Sequence, residues 1–221
     1  MITSINVWPS PDASDGIEPL VELAFPVRGK SLPADHNYGL YSTLVGCVPA
    51  LHQQTHFSLL TVAGFPDRQG EITLTPYSCF KIRVSVSQIP LVYQLAGKQV
   101  DVGKHKIQIG IPKTTLLKPA PRLRSRIVTI KGYMEPESFL LAAQRQLDRL
   151  GVSGDLSIPI NREGRPSRKT IKIKCFTVVG FTTAVSELSP ADSLKLQTYG
   201  LGGKRSLGCG YFIPWKGGGD V

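Results

Sequence analysis

The sequence predicts an α+β chain built from two successive units, each ordered strand, helix, strand, strand, helix, strand. Three observations carry this: apolar and β-branched runs of strand length, helix signals set between those runs, and recurrence of the same order in both halves. At 221 residues the chain has room for one large domain or two small ones. A content of 41% hydrophobic and 19% charged residues excludes wholesale disorder and a collagen-like fibre.

In the first unit, 1–18 is a loose lead-in rich in Ser, Pro and Asp, and VELAFPV at 21–27 is a buried strand. A loop, RGKSLPADH, follows it. Over 37–51 the spacing of Leu40, Leu44, Val45 and Val48 predicts a helix, with Asp35 as N-cap and Pro49 near the end. Strand-like runs occupy 56–62, 71–75 and 79–86, a short Pro-containing helix 89–96, and the alternating KIQIGI at 106–111 closes the set. This is the βαββαβ order of a ferredoxin-like, RRM-like domain, here 19–111.

After a linker at 112–121, the second copy covers 122–215; the alternative is one α+β domain in which the order recurs by coincidence. RIVTIK at 126–131 is its first strand, and 136–150 is the clearest helix in the chain. Phe139, Leu140, Ala143, Leu147 and Leu150 fall on one face, Pro136 suits a first turn, and Gly151 is placed to end it. A hairpin pairs 169–177 with 178–185, after the basic turn NREGRPSRKT. Ser189 as N-cap and Pro190 at the first position open a helix to Tyr199, and GYFIP at 210–214 is the last strand. The tail, 216–221, is expected to be mobile.

The charge is distributed unevenly. The net +10 comes entirely from residues 111–221, with 18 basic and 8 acidic side chains, whereas 1–110 carries 8 of each. Such a surplus attracts a polyanion, although an unevenly charged, solvated surface would also show it. No uncharged apolar run approaches the roughly 20 residues that span a bilayer, and the N-terminus lacks a basic start followed by an apolar stretch, so a soluble, cytoplasmic protein is expected. Cys47, Cys79, Cys175 and Cys209 stand 32, 96 and 34 residues apart, with no CxxC pair, which predicts buried reduced thiols and no zinc site.

The most specific motif is GLGGKRSLGCG at 200–210, five glycines in eleven residues, with Lys204 and Arg205 in its middle. It is either a cradle of open amides for a phosphate or a tight turn. Its spacing is that of neither a P-loop nor a dinucleotide fingerprint.

This loop, with PRLRSRIVTIKGYMEPESFL and LSPADSLKLQTYGLGGKRSLGCGYFIP around it, resembles the C-terminal part of CRISPR-associated repeat-cleaving endoribonucleases of the RAMP superfamily. VELAFPVRGKSLPADHNYGLYSTL resembles their cyanobacterial and myxobacterial branch. The resemblance runs from Val21 to Pro214 and implies two tandem ferredoxin-like domains with a Gly-rich loop near the C-terminus. It also implies metal-independent cleavage of precursor CRISPR RNA, without cofactor: the 2′-hydroxyl attacks the adjacent phosphate, leaving a 2′,3′-cyclic phosphate and a 5′-hydroxyl. The implied partners are the repeat hairpin, the mature CRISPR RNA retained by that hairpin, and other effector-complex subunits, with no membrane.

Such chemistry needs a base, an acid and cations, and His is the natural proton carrier near neutral pH. His36, after the first strand and flanked by Asp35, Tyr38, Arg28 and Lys30, is the expected catalytic acid or base; an ordinary loop His is the alternative. Tyr38 would orient the ribose or phosphate, or pack in the core. His52 and His56, in HQQTH, lack the Glu of a zinc-protease motif and are candidates for a second catalytic His. His105 sits in an exposed turn. For RNA contacts the candidates are Arg28, Lys30, Arg122, Arg124, Arg126, Lys131, Arg145, Arg149, Arg162, Arg165, Arg168, Lys169, Gly202, Gly203, Lys204 and Arg205, reaching mostly phosphates and shape. The competing readings are a catalytically silent RNA-binding scaffold of the same superfamily and a general single-strand binder. No RNP1-like aromatic run supports the latter.

Overall fold

A computed structural model describes residues 18–54 and 56–215; the expected lead-in up to residue 17 and the tail 216–221 lie outside the described residues. The N-terminal half contains β1 (Leu20–Gly29), β2 (Ser31–Pro33), α1 (Asn37–Cys47), a 3-10 turn (Pro49–Gln53), β3 (Ser58–Leu60), β4 (Glu71–Thr73), β5 (Cys79–Ser85), α2 (Ile89–Tyr93), β6 (Gln99–Val102), β7 (His105–Ile109) and β8 (Lys113–Leu116). Its main sheet is ordered β3-β5-β1-β7-β6, with β8 also on β1. Alternation along β1 sends Val21, Leu23, Phe25 and Val27 to one face, where Leu40 and Leu44 of α1 and Val92 of α2 cover them. Phe25 and Phe80 stack with centroids 5.0 Å apart. Burying side chains of this size stabilises by about 1.5–3 kcal/mol each.

The structure revises several expectations in this half. The helix over 37–51 stops at Cys47, because Pro49 has no amide to continue it, and a 3-10 turn takes over. Asp35 does not cap α1: His36 is the cap residue without a side-chain cap bond, and Asp35 Oδ2 accepts the Lys172 amide at 2.8 Å. The RGKSLPADH loop holds β2, which pairs with β4, and β6 precedes β7 as a hairpin over Gly103. The 112–121 linker contains β8, bonded to β1 at Val21 to Ala24.

The C-terminal half contains β9 (Leu123–Val128), α3 (Pro136–Leu150), β10 (Asp155–Ser157), β11 (Arg168–Ile173), β12 (Phe176–Ser186), α4 (Pro190–Tyr199), a 3-10 turn (Arg205–Leu207) and β13 (Phe212–Pro214). Its sheet is ordered β10-β12-β9-β13, with β11 on β12. Both helices occupy their expected spans. Gly151 closes α3 at φ 59°, and Ser189 Oγ accepts the Asp192 amide at 3.1 Å. On α3, Ala142 is buried while Leu140, expected on the apolar face, is half-buried. The first strand ends at Val128, which leaves Lys131 in the following loop, and the hairpin turns at Lys174 (φ 54°), earlier than expected. Phe139 and Phe181, 4.9 Å apart, centre this core with Leu147, Leu196 and Phe212. All four cysteines are free, but only Cys209 is fully buried and Cys175 is exposed.

Candidate functional site

The face of the first sheet away from α1 and α2 meets the second half through a charged joint. Glu22 on β1 takes Lys81 Nζ at 2.7 Å and Arg83 Nη2 at 3.1 Å. Arg83, only 2% exposed, also donates from Nη1 to the Gln197 carbonyl at 3.0 Å and lies 3.9 Å from the Tyr211 ring centroid. Tyr211 in turn donates its hydroxyl to Glu22 Oε2 at 2.7 Å. Gln197 and Tyr211 flank the glycine-rich loop, so one ion pair holds both ends of it. Burial pushes the Glu22 carboxyl up, yet Lys81, Arg83 and Tyr211 together hold it below its ordinary value.

The loop itself is not a ring of open amides. Each of its five glycine N–H groups donates internally: Gly200 to Leu196 O, Gly202 to Gln146 Oε1, Gly203 to Thr129 O, Gly208 to Arg205 O and Gly210 to Ile127 O. Close approach explains the composition. At Gly202 (φ 72°) a Cβ would collide with the Thr129 carbonyl oxygen, and at Gly210 (φ 65°) with that of Leu201. Arg205 Nη1 donates to Tyr199 O, and burial pulls its guanidinium down from the usual value.

Asn37 connects the loop to α1, donating from Nδ2 to the Leu207 carbonyl at 2.6 Å. Beside it, His36 is 2% exposed. Its Nδ1 lies 2.7 Å from the Pro33 carbonyl. A carbonyl only accepts, so Nδ1 carries the proton and Nε2 is a buried lone pair without a partner. Burial, with the charge of Arg126, lowers the His36 pKa against the raising effects of Pro33 and Asp35. The flanking charges that act on this ring are thus Arg126 and Asp35, not Arg28 and Lys30. His36 is thus almost closed to solvent. Tyr38 is half-buried against Ile127, Ile171, Leu207 and Cys209.

A more open constellation lies farther along α1. Tyr41 Oη is 2.9 Å from Nδ1 of the exposed His52, and Ser206 of the loop lies beside the same hydroxyl. Burial raises the Tyr41 pKa, which keeps its proton on. In the tautomer whose Nδ1 accepts from Tyr41, His52 carries its proton on Nε2. His56 is half-buried near Arg205, and desolvation together with that guanidinium lowers its pKa. Two histidines, a tyrosine, a serine and an arginine thus surround the place where α1, the 3-10 turn after it and the glycine-rich loop come together. The sequence marked His52, His56 and Arg205. Tyr41 and Ser206 carried no local signal, because only the packing of the two halves brings them together. His105 is tied by Nδ1 to Ser31 Oγ and faces Glu71 at 3.6 Å.

A family model described as Cas6 Crispr matches residues 21–217. The chain belongs to the Cas6 family. The CRISPR-associated endonuclease Cas6 of Myxococcus xanthus (strain DK1622) is 32% identical over 194 residues, covering 88% of this chain and 81% of that protein. A solved CRISPR associated protein Cas6 superposes with a TM-score of 0.62 at 12% identity, over 90% of this chain and 100% of that one. An RAMP protein binding different RNA substrates gives 0.61 at 14% identity, over 88% and 98%. A Cas6-related protein from Pyrococcus furiosus gives 0.59 at 14% identity, over 90% and 99%. At these identities the structures show a shared mixed α/β fold.

In this Cas6 chain the cations singled out from the sequence are spread over several faces. Arg28 and Lys30 are exposed at the end of β1, Arg145 and Arg149 on the outer face of α3, and Arg122, Arg126, Lys131 and Lys204 around the loop and β9. Arg162, Arg165, Arg168 and Lys169 are exposed on the turn before and into β11. Arg124 is half-buried, 5.6 Å from the Trp215 ring centroid. Among the described residues no three His, Cys, Asp or Glu gather as a metal site, and no helix is long and apolar enough to cross a membrane.

Proposed function

We propose that this chain is an endoribonuclease that cuts precursor CRISPR RNA within its repeats, and that its two halves are tandem ferredoxin-like domains. Membership of the Cas6 family supports the reaction, and the strand order of each sheet supports the domain reading. The observation that carries the site is the gathering of the exposed His52 with the half-buried Tyr41, His56, Ser206 and Arg205 beside the basic C-terminal half. The attacking 2′-hydroxyl belongs to the RNA, so the protein supplies proton transfer, charge and in-line alignment, without a metal. His56, held neutral, takes the 2′-hydroxyl proton, and His52, in the tautomer with its proton on Nε2, protonates the leaving 5′-oxygen. Arg205 faces the phosphate charge. His36 acts from beneath, shaping the first turn of α1. The product hairpin stays on the basic surface for assembly with effector subunits.

The burial of His36 favours a second reading, a silent RNA-binding scaffold. One experiment separates the two: end-labelled repeat RNA in EDTA, with wild type, His36→Ala, His52→Ala, His56→Ala and a substrate bearing 2′-deoxy at the cut. A single cut lost with the deoxy substrate and with His52→Ala or His56→Ala, while binding persists, is the expected result. Tight binding without cleavage by wild type would establish the scaffold, and loss of cutting only in His36→Ala would return the chemistry to that residue.

A further inference from the structure

Phe65 lies on the connection between β3 and β4, 69% exposed, an unusual place for a phenyl ring. A lone exposed aromatic needs no explanation, but this one forms a wall of a cavity of about 330 Å³ whose other walls come from the C-terminal half. Arg124, Arg162 and Lys169 bring three cations to it, and Asn161 and Glu163 form its polar edge. That edge is built rather than floppy. Asn161 Oδ1 accepts the amides of Glu163 at 3.0 Å and Arg165 at 2.9 Å, while its Nδ2 donates to Glu163 Oε2 at 2.7 Å. Arg124 is steadied by its place beside Trp215.

We propose that this cavity is a subsite for one unpaired nucleobase of the bound RNA. The inference rests on the RNA-binding reading above and adds a contact away from the histidines. The base stacks on Phe65, and Lys169 and Arg162 hold the phosphates on either side of it. A base within a duplex has both faces covered, so the ligand is a single-stranded nucleotide, and an aromatic face accepts it whatever its sequence. Glu163 adds a preference. A carboxylate accepts from an exocyclic amino group, which adenine, cytosine and guanine carry and uracil lacks.

The test measures dissociation constants of repeat RNA carrying a single abasic ribose at each position in turn, with wild type, Phe65→Ala and Phe65→Trp, at fixed salt. The wild type should lose about 5- to 150-fold at one unpaired position. Phe65→Ala should show a comparable loss with intact RNA and no further loss with that abasic RNA, Phe65→Trp should bind as wild type, and all three should melt at the same temperature. Equal affinity of Phe65→Ala and wild type for intact RNA overturns the subsite alone. Failure of the wild type to bind any repeat RNA overturns the RNA-binding reading itself.

Discussion

Replacing Arg83 by Met removes a buried guanidinium while keeping much of its stem. In the native chain Arg83 makes two bonds to Glu22 Oε2, one to the Gln197 carbonyl, and a close face contact with Tyr211. Removing one partner of a buried pair costs about 3–5 kcal/mol. Glu22 keeps Lys81 and Tyr211, which places the change at the lower end, about 3 kcal/mol. For a chain of this size each kcal/mol shifts Tm by about 2–4 °C, so a fall of about 6–12 °C is expected. Thermal melts followed by circular dichroism measure it. The double variant Glu22→Leu with Arg83→Met should recover part of the loss, because no carboxylate then lacks its partner. A single variant melting within about 2 °C of wild type would refute the claim that this pair holds the two halves together.

The Glu22 carboxyl is held below its usual value, so its stabilisation is complete above the unfolded-state value near 4.5 and fades as pH falls through the lower folded value. Urea midpoints from pH 7 down to 3 should therefore show an acid limb that Glu22→Gln flattens. Gly202→Ala should cost about 2 kcal/mol or more, since φ is 72° and its Cβ meets the Thr129 carbonyl, whereas Gly203→Ala, with open space at that point, should stay within about 0.5 kcal/mol. Urea denaturation of the pair checks both. His56 is held neutral by burial and Arg205, so the acid limb of the cleavage rate should lie below pH 6.5, and a limb above that value would remove His56 as the base. RNA affinity should fall steeply and linearly in log–log form with added salt; a flat plot would show that the surplus of cations in residues 111–221 does not meet phosphates.

The elements that sequence reading placed well are those with local instructions. α3 and α4 begin on Pro and end on Gly, and α4 also has Ser189 as its cap, so neither depends on distant residues for its limits. The strands β2, β6, β8 and β10 are three or four residues long, and their existence depends on which neighbour lies alongside. The loop glycines were conspicuous, but their use was not. A run of glycines is the same in a sequence whether its amides face a ligand or Thr129 and Ile127. His36 stood where a catalytic His was expected, and only the folded chain, in which it is 2% exposed, shows that it is covered. In β5, Lys81 and Arg83 alternate with Phe80 and Ile82, the pattern of a sheet with one wet face. In this fold the second half of the chain covers Arg83 on that face and leaves Lys81 partly exposed.

β1 sets an order of events during synthesis. Among the described residues it is the first strand to be made, yet its partners β5, β7 and β8 span residues 79–116, so one edge waits until β5 is complete at Ser85 and the other until Leu116 has emerged. At ribosomal rates of about 5–20 residues per second, that wait lasts about 4–17 s. Throughout it a segment carrying Val21, Leu23, Phe25 and Val27 is an open template for another nascent chain. Pro26, inside this strand, supplies no amide to such pairing and charges flank the apolar run at Glu22 and Arg28, so the strand carries its own protection against aggregation before its partners arrive.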